Sequence, residues 1–241
     1  MTARAADVER RWLVRAGGLS GIGVALVYVL ITALYVAAGQ VPTDVEARLA
    51  YHAANEGPWW AILWLSVITD VLYVPVAVAL CLALAPVNRT AVLAGAGLLG
   101  LFVVLDLAIT WPNYAALLTL SGQLAAATSD ALLASVIDAA RYPLAIVDSS
   151  LLAAYIILVP GLGILLIGLV TRGSTFGRAA VWLGVATGLT AVLAVVGPFV
   201  YEPLGAVAIL TAVLTLIWLF VVGLRLLQLE GVIEAEGSLG A

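Results

Sequence analysis

The sequence predicts an all-α membrane protein, and two observations carry this prediction. The 241-residue chain is 64% hydrophobic and only 10% charged, with a mean hydropathy of +1.19, whereas soluble domains are about half apolar and about 25% charged. It also contains six apolar stretches that reach the roughly 20 residues a helix needs to cross about 30 Å of hydrocarbon. Because these stretches are continuous and do not alternate with polar residues, they predict helices and not the strands of a membrane barrel.

The elements follow in order along one predicted domain, 1–229, which ends in a mobile tail, 230–241. The first span follows Arg10, Arg11 and Arg15 and lacks a small-x-small cleavage pattern, so it is predicted to be a retained helix and not a removed signal. The predicted spans are 17–38, 59–85, 91–111, 143–170, 179–200 and 204–227.

Two connections between the spans are longer than a turn. Segment 39–58 is polar and predicts a short helix closed by a Gly-Pro pair. Segment 112–142 is mildly apolar and contains Ser129 and Asp130, either of which can cap a helix whose apolar positions recur every three and four residues. This helix is expected to lie along the outer interface or to extend the fourth span.

Arginine placement predicts the orientation. Only Arg48 and Arg141 fall on one predicted side of the membrane, and the excess on the other side predicts that both termini are cytoplasmic. The arginines on the cytoplasmic side are Arg4, Arg10, Arg11, Arg15, Arg89, Arg172, Arg178 and Arg225.

Three aspartates inside the apolar stretches are the best functional clue in the chain. A carboxylate at the centre of a span costs about 2.5–3.5 kcal/mol on insertion scales. Asp70, Asp106 and Asp148 are therefore expected to face a protein interior or a wet cavity. Helical spacing and the outer turns add further candidates for ligand or proton binding, namely Tyr73, Asn113, Arg141, Tyr155 and Glu202. Among these, Arg141 is the expected counter-ion of Asp148, and Glu202 is expected at the mouth of the cavity.

These residues predict an acid-lined cavity, open to the outer side, that binds or transports a small cation, a proton or an amphiphile, with Asp70 at its centre. The alternative is that the acids only hydrogen-bond across helices, in a non-catalytic accessory or assembly subunit that contacts another membrane protein or a second copy. An intramembrane enzyme comes third, because Asp70 with Asp106, or Asp106 with Asp148, supplies two acids but the GxGD protease signature is missing.

Missing residue types exclude several chemistries. Without lysine there is no retinal Schiff base, and His52 alone cannot supply a bis-histidine haem or a multi-histidine zinc site. In its polar loop, His52 is expected to be solvated. Cys81 is the only cysteine, which excludes an intramolecular disulfide. No cofactor, metal or nucleic-acid partner is predicted, and the lipid bilayer is the expected surrounding.

Proline and glycine predict local features of the helices. Pro75 and Pro160 lie inside spans and predict kinks. The spacing of Gly17 with Gly21, and of Gly184 with Gly188, is the small-xxx-small pattern of close helix packing.

Short motifs also carry a family resemblance. With Ala54-Asn55-Glu56-Gly57, Asp70, Pro86-Val87-Asn88-Arg89 and Ser174-Thr175-Phe176-Gly177-Arg178, the chain resembles an uncharacterised bacterial family of six-helix membrane proteins over most of 16–200. The resemblance implies six spans and a bacterial inner membrane, and it implies no activity, cofactor or site residue. The Pro-Val-Asn-Arg motif also makes physical sense as a turn, in which proline stops one helix and asparagine caps the next.

Overall fold

A computed structural model describes residues 3–239 of the chain, and the side chains of 8–231. Within the described residues every regular element is helical. The α-helices are α1 (Ala3–Ala38), α2 (Val45–Ala54), α3 (Glu56–Leu105), α4 (Trp111–Ala125), α5 (Asp130–Val147), α6 (Ser150–Ala153), α7 (Val159–Thr171), α8 (Gly177–Val196) and α9 (Val207–Leu239). Single π-helical turns join α3 to α4 at Asp106–Thr110 and α6 to α7 at Ala154–Leu158, and 3-10 turns lie at Gly197–Phe199 and Glu202–Ala206.

Several of these elements are long and apolar enough to cross a membrane, as the sequence predicts. Over the described residues there are five such continuous stretches, Val8–Ala38, Glu56–Ala125, Asp130–Thr171, Gly177–Phe199 and Glu202–Gly231. The second has 70 residues and would be about 105 Å long if straight, more than three times the hydrocarbon thickness of about 30 Å. It is not straight.

The bend lies at the predicted Pro-Val-Asn-Arg turn. Asn88 has φ −157° and ψ 93°, outside the helical region, and Pro86 comes two residues before it. The Asn88 side chain accepts a hydrogen bond from the Ala91 amide at 3.1 Å and so caps the second arm of α3. The predicted turn is confirmed, and the long stretch consists of two arms.

The third predicted span runs further than expected because a proline is accommodated inside the helix. Proline has no N–H and its ring collides with the carbonyl four residues earlier. Just before Pro112 the backbone widens into the π turn Asp106–Thr110, where the Trp111 amide donates to the carbonyl five residues back. The same device, a single π turn, precedes Pro160. At Pro160 the predicted distortion therefore takes the form of a π turn.

Capping residues fix the starts of two helices, and the one at Ser129 is a cap that the sequence predicts. Asp44 caps the short polar helix α2 by accepting from the Ala47 amide at 2.9 Å. That helix ends at Ala54 with Asn55 as its C-cap, so the Gly57-Pro58 pair lies in the first turn of α3 and does not close α2. Ser129 caps α5 by accepting from the Leu132 amide at 3.3 Å. Helix α5 then extends the fourth span toward its N-terminus.

The described chain divides into two compact units, and each is described by itself. Unit 1 comprises Met1–Leu26, Val71–Val103 and Ala153–Ala241; unit 2 comprises Val27–Asp70 and Val104–Leu152. The single domain stays a prediction. In the predicted tail, α9 continues as a helix to Leu239; Gly240 and Ala241 lie outside the described residues, and the mobility of the tail stays a prediction.

Unit 1 is packed through its glycines. A Cβ atom added to Gly184 would lie 2.8 Å from the Gly168 Cα and 2.9 Å from the Trp218 Nε1. One added to Gly17 would lie 2.6 Å from the Pro75 carbonyl oxygen. Because the helix backbones touch at these points, the predicted packing role of Gly17 and Gly184 is confirmed.

Unit 2 is built instead on aromatic side chains. Helices α2, α4 and α5 pack together in it. Trp59 occupies the middle of the aromatic contacts, with ring centroids 5.4 Å from Tyr35, 6.3 Å from Tyr51 and 5.6 Å from Tyr114. The buried apolar cluster of this unit consists of Ile31, Trp59, Ile62, Leu63, Trp111 and Leu118.

Candidate functional site

Two of the three predicted acids meet inside unit 2. Asp70 lies on the first arm of α3 and Asp106 opens the π turn. Their side chains are 0% and 4% exposed, and their carboxyl groups lie within hydrogen-bonding reach of each other. The structure therefore contains a buried pair of carboxyl groups.

Few polar groups surround this pair. The Trp111 indole donates from Nε1 to Oδ2 of Asp70 at 2.7 Å. The Thr110 hydroxyl lies beside the Asp106 carboxyl but makes no hydrogen bond of full geometry, and its Oγ1 has no partner. The Oδ1 atoms of Asp70 and Asp106 also have none. The predicted third span, 91–111, ends at Trp111, and the sequence gives no sign of its contact with Asp70.

The chemistry of the pair follows from this set of contacts. Ionised carboxylates only accept hydrogen bonds, so a bond between two of them requires a proton on one. Two negative charges side by side in a dry interior also repel strongly. The hydrogen bonds and ion pairs of the described residues bring no arginine to either acid. An arrangement of this kind can hold a proton or a small cation.

Asp148 lies apart from the pair and has its own base. Arg48 donates from Nη1 to both carboxylate oxygens of Asp148 at 2.8 Å. The predicted counter-ion, Arg141, is wrong, because its Nε donates to Asp138 at 3.0 Å on the exposed face of α5. The physical reason is that α5 ends at Val147, so Asp148 leaves the helix and no longer shares a face with Arg141.

The remaining predicted candidates have other contacts. The Asn113 amide donates at 2.7 Å to the backbone carbonyl four residues earlier. Tyr73, Tyr155 and Glu202 belong to unit 1. There Tyr73 is buried with its ring 5.5 Å from that of Phe102, Tyr155 is buried, and Glu202 is exposed at the start of a 3-10 turn. A role for these four residues together with the acids stays a prediction.

His52 is buried, which contradicts the prediction that it is solvated. Its side chain is 1% exposed, and its ring meets that of Trp59 edge to face at 4.5 Å. Trp59 stacks on Tyr114 at 5.6 Å, and Tyr114 lies 5.9 Å from Trp111. A continuous run of rings therefore joins His52 to the indole that holds Asp70.

One signal in the sequence could have revealed this arrangement. Arg48 and His52 are spaced by four residues and flank Leu49 on one face of α2, which is the buried face. The apolar Leu49 between these two residues indicates that this face of α2 packs inward. In the structure Asp148 lies opposite it and pairs with Arg48.

Burial also determines the charge of His52. It lowers the pKa of the imidazole from its ordinary 6.5 to about 4, and the neighbouring Arg48 charge lowers it further in the same direction. His52 is therefore neutral at physiological pH. Neither ring nitrogen has a hydrogen-bond partner.

No protein-family profile, curated protein or solved structure matches the chain. The resemblance to bacterial six-helix proteins stays a prediction carried by its short motifs. What the site can do therefore follows from its geometry.

Proposed function

We propose that this protein is a multi-pass membrane protein that binds and moves protons through the Asp70–Asp106 pair. The observation that carries the proposal is the contact between two fully buried carboxyl groups to which no base is paired among the described residues. Asp148 then supports the fold and not the chemistry, since Arg48 already neutralises it.

The surroundings of the pair favour one negative charge and one proton. Two unit charges about 4 Å apart repel by about 4 kcal/mol at an effective dielectric constant of about 20. A single proton removes that repulsion and supplies the donor for the bond between Asp70 and Asp106. The single indole N–H of Trp111 then stabilises the charge that remains.

The same pair supports a membrane role because of where it lies. Both acids belong to the long stretch Glu56–Ala125, one on each side of the bend at Asn88. If each arm crosses the bilayer, the chain has six spans, and the arginine excess places both termini in the cytoplasm. The proposed location is the bacterial inner membrane. An intramembrane ionisable pair is then a natural element of a proton pathway.

A small cation in place of the proton is the alternative that one observation favours. Asp70, Asp106 and Thr110 each have a buried oxygen atom without a partner, and oxygen atoms are the ligands that hard cations prefer. The described residues contain no group of three or more acidic, histidine or cysteine side chains that could hold a metal ion. The proton therefore remains the first choice.

The other two hypotheses have weaker support. An enzyme with two catalytic carboxyl groups needs a substrate in contact with both of them, and Asp70 and Asp106 are buried. An accessory subunit would use its small-residue faces to contact a partner, but Gly17 and Gly184 pack against other helices inside unit 1.

Infrared spectroscopy of the protein in lipid vesicles tests the proposal. We expect the C=O stretch of a protonated carboxyl group at neutral pH in the wild type. Asp70→Asn and Asp106→Asn should remove this band and stop proton flux, which a pH-sensitive dye inside the vesicles records. Asp138→Asn, at an exposed carboxylate of α5, is the matched control and should keep both.

Two outcomes would overturn the proton assignment. One is a wild type without a protonated carboxyl group at neutral pH. The other is a band that sodium or potassium removes at constant pH, which would assign the pair to a cation instead.

A further inference from the structure

Unit 2 contains a cluster of buried polar atoms that have no partner. Buried polar groups in proteins are almost always hydrogen-bonded, to protein or to ordered water. Among the described residues of unit 2 the atoms without a protein partner are Arg48 Nε, His52 Nδ1 and Nε2, Trp59 Nε1, Asp70 Oδ1, Asp106 Oδ1 and Thr110 Oγ1. This number of unsatisfied atoms in one small unit calls for an explanation.

These atoms follow the aromatic contacts from the surface to the acid pair. The Asp148 side chain is 56% exposed and bonds to Arg48. His52 comes one helical turn after Arg48 on the same buried face of α2. From His52 the rings of Trp59, Tyr114 and Trp111 continue to Asp70.

We propose that His52 passes protons between the protein surface beside the Arg48–Asp148 ion pair and the Asp70–Asp106 pair, along ordered water molecules bound to these buried polar atoms. The inference rests on the proposed function and adds to it the residue through which the proton enters.

A neutral imidazole is suited to this task. One ring nitrogen accepts a proton from a neighbouring water while the other donates its own proton to the next water, so one proton enters and one leaves and the ring stays neutral overall. Rotation of the ring then brings the protonated nitrogen back to the releasing side, so that the next proton moves in the same direction. Neither nitrogen of His52 is held by another residue, so both are free for the exchange.

The charged and titratable groups around His52 favour a neutral ring that transfers protons and does not keep one. The positive charge of Arg48 opposes a lasting imidazolium, in keeping with the lowered pKa of His52. No acid on α2 itself is paired with the ring, and Asp148 is already bonded to Arg48. The groups that face this region are Arg48 and Tyr51 on α2, Tyr35 on α1, Tyr114 on α4 and Asp148 after α5.

Hydrogen–deuterium exchange of the buried carboxyl group measures access to the pair. After transfer of the vesicles into D₂O, the C=O band of the protonated carboxyl moves as the proton is replaced, and the rate of this change is the readout. His52→Phe keeps a ring but removes both nitrogens, and we expect it to slow the exchange by about tenfold or more, equivalent to about 1.4 kcal/mol. His52→Gln keeps a donor and an acceptor and should restore most of the rate.

Matched variants separate this inference from the proposed function. Tyr142→Phe, at a 73% exposed position of unit 2, should exchange like the wild type. If His52→Phe keeps the carboxyl band but exchanges at the wild-type rate, or if His52→Gln is as slow as His52→Phe, the role of His52 is overturned while the acid pair stands. If the wild type has no such band, the proposed function itself fails.

Discussion

The Arg48–Asp148 and Asp70–Asp106 pairs of unit 2 differ in kind. In one pair, a buried arginine meets a half-exposed aspartate, and the two charges cancel. In the other, two aspartates meet in the interior, and the neutral indole of Trp111 donates a hydrogen bond to one of them. The first pair is electrically balanced by its own two side chains. The Asp70–Asp106 pair is buried without a base beside it in the part of the chain that the structure describes, so it has to bind a proton or a cation.

The contrast teaches that burial alone does not identify a functional acid. The sequence treats Asp70, Asp106 and Asp148 alike, because all three interrupt apolar stretches. They differ in the side chain that each one contacts. For Asp148 that contact follows from the position at which α5 ends. Asp148 lies at the C-terminal end of α5, where a negative charge is unfavourable beside the helix dipole and a cation is needed. Arg48 supplies that cation.

Breaking the ion pair should give the largest effect. Asp148→Asn leaves the Arg48 charge mostly buried and unpaired, and we expect a loss of about 3 kcal/mol in the free energy of unfolding, at the low end for buried pairs because Asp148 is partly exposed. Denaturation in mixed micelles measures the loss. Arg48→Met removes the buried charge itself and should cost within about 1 kcal/mol. Equal losses for the two variants would contradict the assignment of this pair.

The pH dependence of unfolding should reveal His52 as the next largest contribution. Because the folded pKa of about 4 lies below the ordinary 6.5, unfolding takes up a proton between these values, and stability that is complete above pH 6.5 falls as the pH drops toward 4. Between pH 7 and pH 4.5 the loss due to His52 should be about 2 kcal/mol. His52→Gln should remove this part of the pH dependence, and an unchanged slope in that variant would show that other groups cause it.

How much of this could be predicted depends on whether the information is local. Caps at Asp44 and Ser129 and the turn at Asn88 are readable because a side chain bonds its own backbone a few residues away. The Asp70–Asp106 contact joins residues on two different helix arms, and helical spacing within one helix cannot give it. The same holds for Arg48 and Asp148, which are 100 positions apart.

The continuation of the helix through Trp111-Pro112 was missed for a different reason. Proline ordinarily marks the end of a helix, and the π turn that accommodates it has no sequence signature of its own. Yet this turn is what carries Asp106 and brings the Trp111 indole to Asp70. The rule that proline ends a helix therefore fails at the candidate site, and functional sites are where irregular backbone is expected.

Removal of the indole donor measures how much Trp111 stabilises the Asp70–Asp106 pair. Trp111→Phe keeps most of the apolar contact but deletes the hydrogen bond to Asp70, and we expect a loss of about 1–2 kcal/mol, typical of a bond to a charged group. Unfolding in mixed micelles measures it. Trp182→Phe, at an exposed tryptophan of unit 1, is the matched control and should change little. No loss in Trp111→Phe would mean that the indole does not stabilise a charge at Asp70.

The smallest change in the free energy of unfolding is expected for Asp106→Asn, because the proposed protonated carboxyl group carries no charge that the variant would remove. If Asp106 and Asp70 share one proton, asparagine at position 106 imitates the protonated carboxyl group in shape and in its ability to donate, so Asp106→Asn should change the free energy of unfolding by less than about 1 kcal/mol. The same chemical change at Asp148 should cost several times more. A loss at position 106 as large as that at position 148 would show that both carboxyl groups are ionised and that an unseen cation, and not a proton, holds them together.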